Sequence, residues 1–158
     1  EAAVQRFVQQ GGAGVVLRFA GFYGPDAEQV HDMVMFIRRG WAPMPGRPEG
    51  FLSWVSHDDA ATAVVAALRA APGTYNVVDD EPLRRGEFFT SLAEMLRARP
   101  PRFLPPWTSR LFGSLGELLA RSLRISNRKL REEAGWKPTY PSARDGWRAV
   151  LSELPKAA

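Results

Sequence analysis

Residues 14–25 read Gly-Val-Val-Leu-Arg-Phe-Ala-Gly-Phe-Tyr-Gly-Pro, and the fold is decided there. Val15, Val16, Leu17 and Phe19 form a short, nearly unbroken apolar run, the pattern of a strand covered on both faces in a parallel sheet. The run gives way at Ala20–Pro25 to a loop of small and aromatic residues. In open α/β sheets, ligands occupy the crevice beyond the carboxyl ends of the strands. That loop is therefore the first place to look for function. No Gly-rich phosphate loop joins a strand to a helix, and residue 1 is Glu rather than Met. The chain reads as part of an enzyme.

Before the strand, Val4, Phe7 and Val8 recur at helical spacing until Gly11-Gly12 stop the helix. After the loop, Val30, Met33, Val34 and Ile37 mark a second helix. It closes in Arg38-Arg39-Gly40, cations and a glycine suited to a helix carboxyl end. Residues 41–50, with three Pro and two Gly, make a loop long enough to cover a pocket. Phe51–Val55 is extended. Ser56 and Asp59 then form a capping box for an Ala-rich helix over 58–70. Thr74–Val78 is a further buried strand, followed by a helix over 85–98. Beyond a Pro-rich break, helices are expected near 107–123, 127–134 and 142–154, with Ser142 and Asp145 as a second capping box. This alternation implies a parallel or mixed sheet with helices on its faces. The expected division is residues 1–98 as an α/β core and 99–158 as a mainly helical region.

At 158 residues with 45% hydrophobic composition, the chain is one ordinary domain or the remainder of a larger one. No apolar stretch approaches the roughly 20 residues of a bilayer span, so no membrane partner is expected. The first ten residues lack the sectors of a signal peptide. Zero cysteines exclude disulfides and thiolate chemistry and suit a cytoplasmic location. His31 and His57 are too far apart in the chain to suggest a metal site, and Asp58-Asp59 lack further ligands nearby. The net charge of +4 is spread out. Its densest stretch, Arg121 to Arg131, reads as a solvated helix face without a recognition helix or stacking platform, so no nucleic acid partner is expected.

Three segments together resemble the extended short-chain dehydrogenase/reductase family, also called NAD-dependent epimerase/dehydratases. Leu17–Pro25, LRFAGFYGP, is similar to that family's Arg-Pro-x-x-x-Tyr-Gly-Pro loop. Trp54–Leu68, WVSHDDAATAVVAAL, is similar to its Val-His-Val-Asp-Asp-x-Ala segment. Ser126–Trp147 carries its closing pattern of a basic helix, Gly-Trp-x-Pro and Gly. TYNVVDDEP at 74–82 fits between the last two. The resemblance spans nearly the whole chain. It implies α/β architecture, namely the C-terminal half of a Rossmann-type doubly wound sheet with a mainly helical substrate-binding subdomain. It also implies NAD or NADP as cofactor of the complete protein, a small-molecule substrate such as a sugar nucleotide or another hydroxyl or carbonyl compound, and the missing N-terminal half as structural partner. A homodimer is compatible with it.

The same resemblance implies that the family's nucleotide-binding Gly motif and Tyr-x-x-x-Lys pair lie upstream of Glu1. None of Tyr23, Tyr75 and Tyr140 has Lys four positions later. No catalytic residue is therefore assigned, and the chain alone is expected to be inactive. Phe19, Ala20, Gly21 and Phe22 are the expected cofactor-side residues, the small Ala20 and Gly21 letting backbone N–H groups approach a flat carboxamide. Phe19 stands where the family usually has Pro. Tyr23, Trp41, Met44, Arg47, Trp54 and Trp107 are the expected substrate-side residues, against the alternative that the apolar ones are ordinary core. Phe51 and Phe103 share that ambiguity, and Arg124 joins Arg47 as a candidate for a substrate diphosphate. Arg18 is read as facing an anion or as one partner of a structural ion pair. Tyr23 is expected to pack its ring and hydrogen-bond its hydroxyl. His57 is expected to be a hydrogen-bonded residue at a capped helix start rather than a base, and His31 a surface residue. The alternative to an enzyme is a regulator of the same fold that senses dinucleotide without turnover.

Overall fold

The strand at the decisive stretch, β1 (Val15–Phe19), pairs in parallel with β5 (Gly73–Val77), Val15 opposite Gly73 and Phe19 opposite Val77. The computed structural model describes residues 1–154 and all their side chains except that of Phe112. Among them no other strand occupies the second edge of β1. Before it runs α1 (Ala2–Gln9), which ends at Gly11 with φ +89°, a conformation that a Cβ would strain.

The residues after Phe19 do not form the plain loop expected over Ala20–Pro25. Ala20 bends the chain, and β2 (Gly21–Tyr23) continues as a strand on a new partner, pairing in parallel with β4 (Trp54–Ser56). The stretch Phe51–Val55 is likewise split. β3 (Phe51–Leu52) runs antiparallel to β6 (Leu83–Arg84), and Ser53 separates it from β4. Parallel pairs linked through helices on their faces establish the α/β class.

Helix α2 (Glu28–Arg38) and the long 41–50 loop lie between β2 and β3, the loop start tied down by the Trp41–Arg102 bridge. Helix α3 (His57–Ala67) begins at Ser56, whose Oγ accepts the N–H of Asp59 at 3.0 Å, one half of the expected capping box; the Asp59 carboxylate takes the Ser56 hydroxyl rather than its backbone N–H. The helix α4 (Arg85–Met95) is shorter than the sequence suggested and is followed by Arg97 at φ 52°. The region expected as one helix over 107–123 is a 3₁₀ segment at Pro106–Phe112 followed by α5 (Gly113–Ala120). Two more helices complete the chain, α6 (Arg128–Ala134) and α7 (Ala143–Glu153). Ser142 caps α7 through the N–H of Arg144 rather than that of Asp145. The Asp145 N–H bonds the Ser142 carbonyl instead, and its carboxylate takes Arg148. The last four residues of the expected 99–158 region lie outside the described residues.

Two apolar clusters hold these elements. One buries Tyr75 and Val77 of β5 together with Val55, Ala60, Ala63, Leu130 and Trp136, whose indole N–H donates to Thr62 Oγ1 of α3. The second gathers Tyr23, Ile37, Trp54, Phe88, Phe89 and Trp147. The late helices therefore share their cores with elements before residue 98. No described helix is long and apolar enough to cross a membrane.

Candidate functional site

The carboxyl ends of β1 and β2 carry an aromatic rim. Phe19 and Phe22 are 37% and 38% exposed, and their ring centroids lie 5.4 Å apart. The exposed His57 ring, at the start of α3, stands 5.8 Å beyond Phe22. Large apolar side chains left in solvent at a strand end mark a surface built to be covered. Gly24 is needed for this arrangement, since a Cβ there would sit 2.5 Å from His57 Nδ1. Gly21 plays the same part inward, where a Cβ would stand 2.8 Å from the Trp54 ring.

The four expected cofactor-side residues are thus together, but their chemistry differs from the expectation. The Ala20 N–H donates to the Val77 carbonyl at 3.1 Å and the Gly21 N–H to the Ser53 carbonyl at 3.2 Å. Sheet pairing consumes both donors, so the rim offers aromatic faces where free amides were anticipated. Arg18, one residue before the rim, forms a two-pronged pair with Glu1, both contacts 2.8 Å. It is the ion-pair reading of Arg18 that the geometry supports.

The substrate-side residues are dispersed. Tyr23 is fully buried and stacks on Trp147 at 5.9 Å. Contrary to expectation its hydroxyl finds no acceptor among the described residues. It sits against Gly146, where there is no side chain to offer one. Burial and the nearby Asp79 and Asp59 carboxylates push its ionisation upward. Trp54 is core, 5.2 Å from Phe88. Met44 is half-buried against the same cluster, whereas Trp41 and Trp107 are 42% and 62% exposed.

Arg47 alone of the set lines a sizeable cavity, of about 510 Å³, with Gly46, Glu49, Gly50, Pro106, Ala120 and Ser122. Its wall is sewn to the sheet. The Phe51 N–H donates to Ser122 Oγ, and Ser53 Oγ donates to the Leu123 carbonyl. Guanidinium groups of Arg84 and Arg124 lie 4.9 and 5.3 Å from the Phe51 ring centroid. Behind the cavity is a residue that the sequence did not flag, Arg85, fully buried at the first position of α4. Its Nη2 donates to the carbonyls of Leu119 and Arg121 at 2.9 and 3.3 Å, while Nε and Nη1 have no acceptor among the described residues. Burial lowers its affinity for the proton. Nothing in the dipeptide Arg84-Arg85 distinguishes the buried arginine from its exposed neighbour. Only the period of α4, with Phe88, Phe89 and Leu92 inward, hints at it.

A second titratable group is buried just after β5. Asp79 is 2% exposed, neither carboxylate oxygen has a partner, and burial raises its pKa to about 8. Asp59, also buried, is by contrast fully bonded. His31 is exposed on α2, and the Arg121–Arg131 stretch finds internal partners in Asp80, Glu132 and the Tyr75 ring.

No family model matches the chain. It is 37% identical over 139 residues to a Streptomyces 3-diazoavenalumate denitrifying reductase, a match covering 85% of this chain and 46% of the reductase. Among solved structures it superposes on a human epimerase family protein determined with NADPH, with TM-score 0.79 and 20% identity over 89% of this chain and 48% of that one. It also superposes on the Thermus thermophilus UDP-glucose 4-epimerase in complex with NAD, with TM-score 0.72 and 24% identity over 99% and 51%. The chain spans about half the length of each of these proteins.

Proposed function

We propose that the chain, which shares the α/β fold of the NAD-dependent epimerase/dehydratases over about half their length, is the C-terminal half of that fold and forms the substrate side of an NAD(P)-dependent reductase, epimerase or dehydratase. In the complete protein a further parallel strand from upstream would pair with the open edge of β1, and the upstream half would hold the phosphates and adenine of the dinucleotide. The bound nicotinamide would supply a hydride donor or acceptor for a substrate carbon bearing oxygen.

The observation that carries this reading is the Phe19–Phe22 pair. Two rings 5.4 Å apart, half in solvent at the carboxyl end of a parallel strand, fit one face of a planar heterocycle. Their task is to bind, orient and exclude water from the ring above them. The substrate would lie between this rim and the wall made by the 41–50 loop and the 3₁₀ segment at Pro106–Phe112. The Streptomyces reductase is named for a carboxylate substrate, which agrees with the basic character of that wall. By itself the chain would not turn over, because it carries no Tyr-x-x-x-Lys pair.

Titration of the complete protein with NADH and NADPH tests the reading. One of them should bind, and Phe22→Ala should weaken it by about tenfold, the ~1.4 kcal/mol of one aromatic contact. Binding with hydride transfer to a carbonyl substrate identifies an enzyme. Binding without any turnover identifies the dinucleotide-sensing alternative. Binding of neither nucleotide overturns the proposal.

A further inference from the structure

The carboxyl ends of three helices meet on a face that the proposed function does not use. Helix α4 packs on both α2 and α7, and the three rest chiefly on one another and on β3, β4 and β6, not on β1. Between their ends lies a groove of about 600 Å³, within the size range of small-molecule sites. Its floor is aliphatic, made by Val34 and Met35 of α2, Met95 and Leu96 at the end of α4, and Leu151 and Leu154 at the end of α7. Met35 is 37% exposed and the other five are half-buried. Unbranched methionines let such a floor adapt to a chain laid on it.

The other lining residues are His31, Arg38, Arg39 and Arg97, with no acid among them. None of the three arginines has an ion-pair partner among the described residues. They gather at one end of the groove. Arg38 and Arg39 close α2, and Arg97 follows the Leu96 cap of α4. Five residues on, the Arg102 N–H donates to the Gly40 carbonyl at 2.8 Å, which holds these two helix ends together. A helix carboxyl end carries about half a negative charge, so two ends leave most of three guanidinium charges uncompensated. Arg97 adds an independent sign. Its φ is 52°, in the turn where the Ala98 N–H returns to the Ala93 carbonyl, a position at which glycine is the usual residue. An arginine held in that conformation is strained, and strain of this kind collects at ligand sites.

We propose that this groove binds a single-chain amphiphile with one anionic head, a medium-chain acyl carboxylate, its head on Arg38, Arg39 and Arg97 and its chain on the aliphatic floor. The stretch of α2 from His31 to Arg39 is about 12 Å long, which sets the length of chain accommodated. Charge confined to one end beside an apolar floor suits one head and one tail. An acidic helix, with carboxylates spread along it, would leave most of them facing aliphatic side chains. The four residues after Leu154, Pro-Lys-Ala-Ala, carry a cation and no acid, so they do not complement the groove. The inference goes beyond the proposed function and does not depend on it.

The complete protein is titrated calorimetrically with octanoate, decanoate, decanol and decyltrimethylammonium, all below their micellar concentrations. Decanoate should bind saturably, one per chain, and about tenfold more tightly than octanoate, as expected for burying two more methylenes. Decanol and the cationic amphiphile should bind at least about fivefold more weakly than decanoate, for want of a charge-assisted contact. Arg97→Gly supplies the residue the turn favours, so the fold is kept. Its decanoate affinity should fall about fivefold while dinucleotide binding stays unchanged. Met35→Glu, at an exposed position, should abolish decanoate binding, and Phe22→Ala should leave it unchanged. No saturable binding of decanoate, equal binding of the three decyl compounds, or unchanged affinity in either Arg97→Gly or Met35→Glu would overturn the proposal. Loss of binding in Phe22→Ala would also overturn it, by putting the chain at the aromatic rim. Two further results would give the groove to another occupant and overturn it likewise: capture by phosphatidylglycerol vesicles without binding of the monomeric acid, or dimers that Met35→Glu dissociates and decanoate does not.

Discussion

The Asp59 carboxylate accepts the backbone N–H of Thr139 at 2.6 Å, joining the start of α3 to the segment that leads into the last helix. Its other oxygen takes the Tyr140 N–H at 3.2 Å and the Ser56 hydroxyl at 2.9 Å. Asp59 is fully buried, so these donors would otherwise lose their acceptor out of reach of water. Asp59→Ala should cost about 3 kcal/mol in urea unfolding, since each buried donor left without an acceptor costs about 1–3 kcal/mol. Asp58→Ala, one residue away and exposed, should stay within about 0.5 kcal/mol. Equal effects at the two positions would refute the assignment.

Asp79 sets a pH dependence. Its pKa is raised by burial from 3.8 to about 8 in the folded chain. Between those values the folded state binds a proton that the unfolded state has released. Stability from this group is therefore complete below about pH 4, declines as pH rises toward about 8 and is level above, with a slope of at most ~1.4 kcal/mol per pH unit. Asp79→Asn, which cannot ionise, should be more stable than wild type near neutrality and should flatten the profile. Urea midpoints measured at about pH 5 and about pH 8 check both points.

Tyr23 and Gly146 give a paired prediction. The Tyr23 hydroxyl is buried and unpartnered, so Tyr23→Phe should be neutral or stabilise by up to about 1 kcal/mol. Gly146 faces that ring with no room for a Cβ, so Gly146→Ala should destabilise by about 1–3 kcal/mol. Thermal unfolding of the two variants should therefore shift in opposite directions, or shift only for Gly146→Ala. A markedly destabilised Tyr23→Phe would mean that the hydroxyl has a partner after all.

Much of this architecture was readable in advance, for identifiable reasons. Val15–Phe19 and Thr74–Val78 announced themselves as strands because a short apolar run has little polar alternation to blur it. In this chain Val15, Val16 and Leu17 are only half-buried and Arg18 and Phe19 are exposed, so the first is not covered on both faces as expected. Ser56 and Asp59 announced a helix start because the cap is local chemistry. What failed to show was non-local. The switch of partner at Ala20 depends on Ser53 and Val77 lying on either side of it. The lost amides of Ala20 and Gly21 follow from that pairing. Tyr23 has no acceptor because of a glycine far along the chain. Arg85 looked like any surface arginine, since its burial is imposed by the end of α5, the Arg121 carbonyl and the 46–50 turn closing over it. The rim of the site was thus legible in one segment, while its basic wall was assembled from three.

The vacant side of β1 reaches beyond architecture. A strand with a row of unmatched amides and carbonyls along one edge invites any extended polypeptide to attach itself. Produced by itself, this polypeptide should precipitate or require a chaperone. Produced alongside a separately translated upstream half, it should become soluble, which would turn that ragged margin into the seam of a two-piece, self-assembling reporter of its own reconstitution.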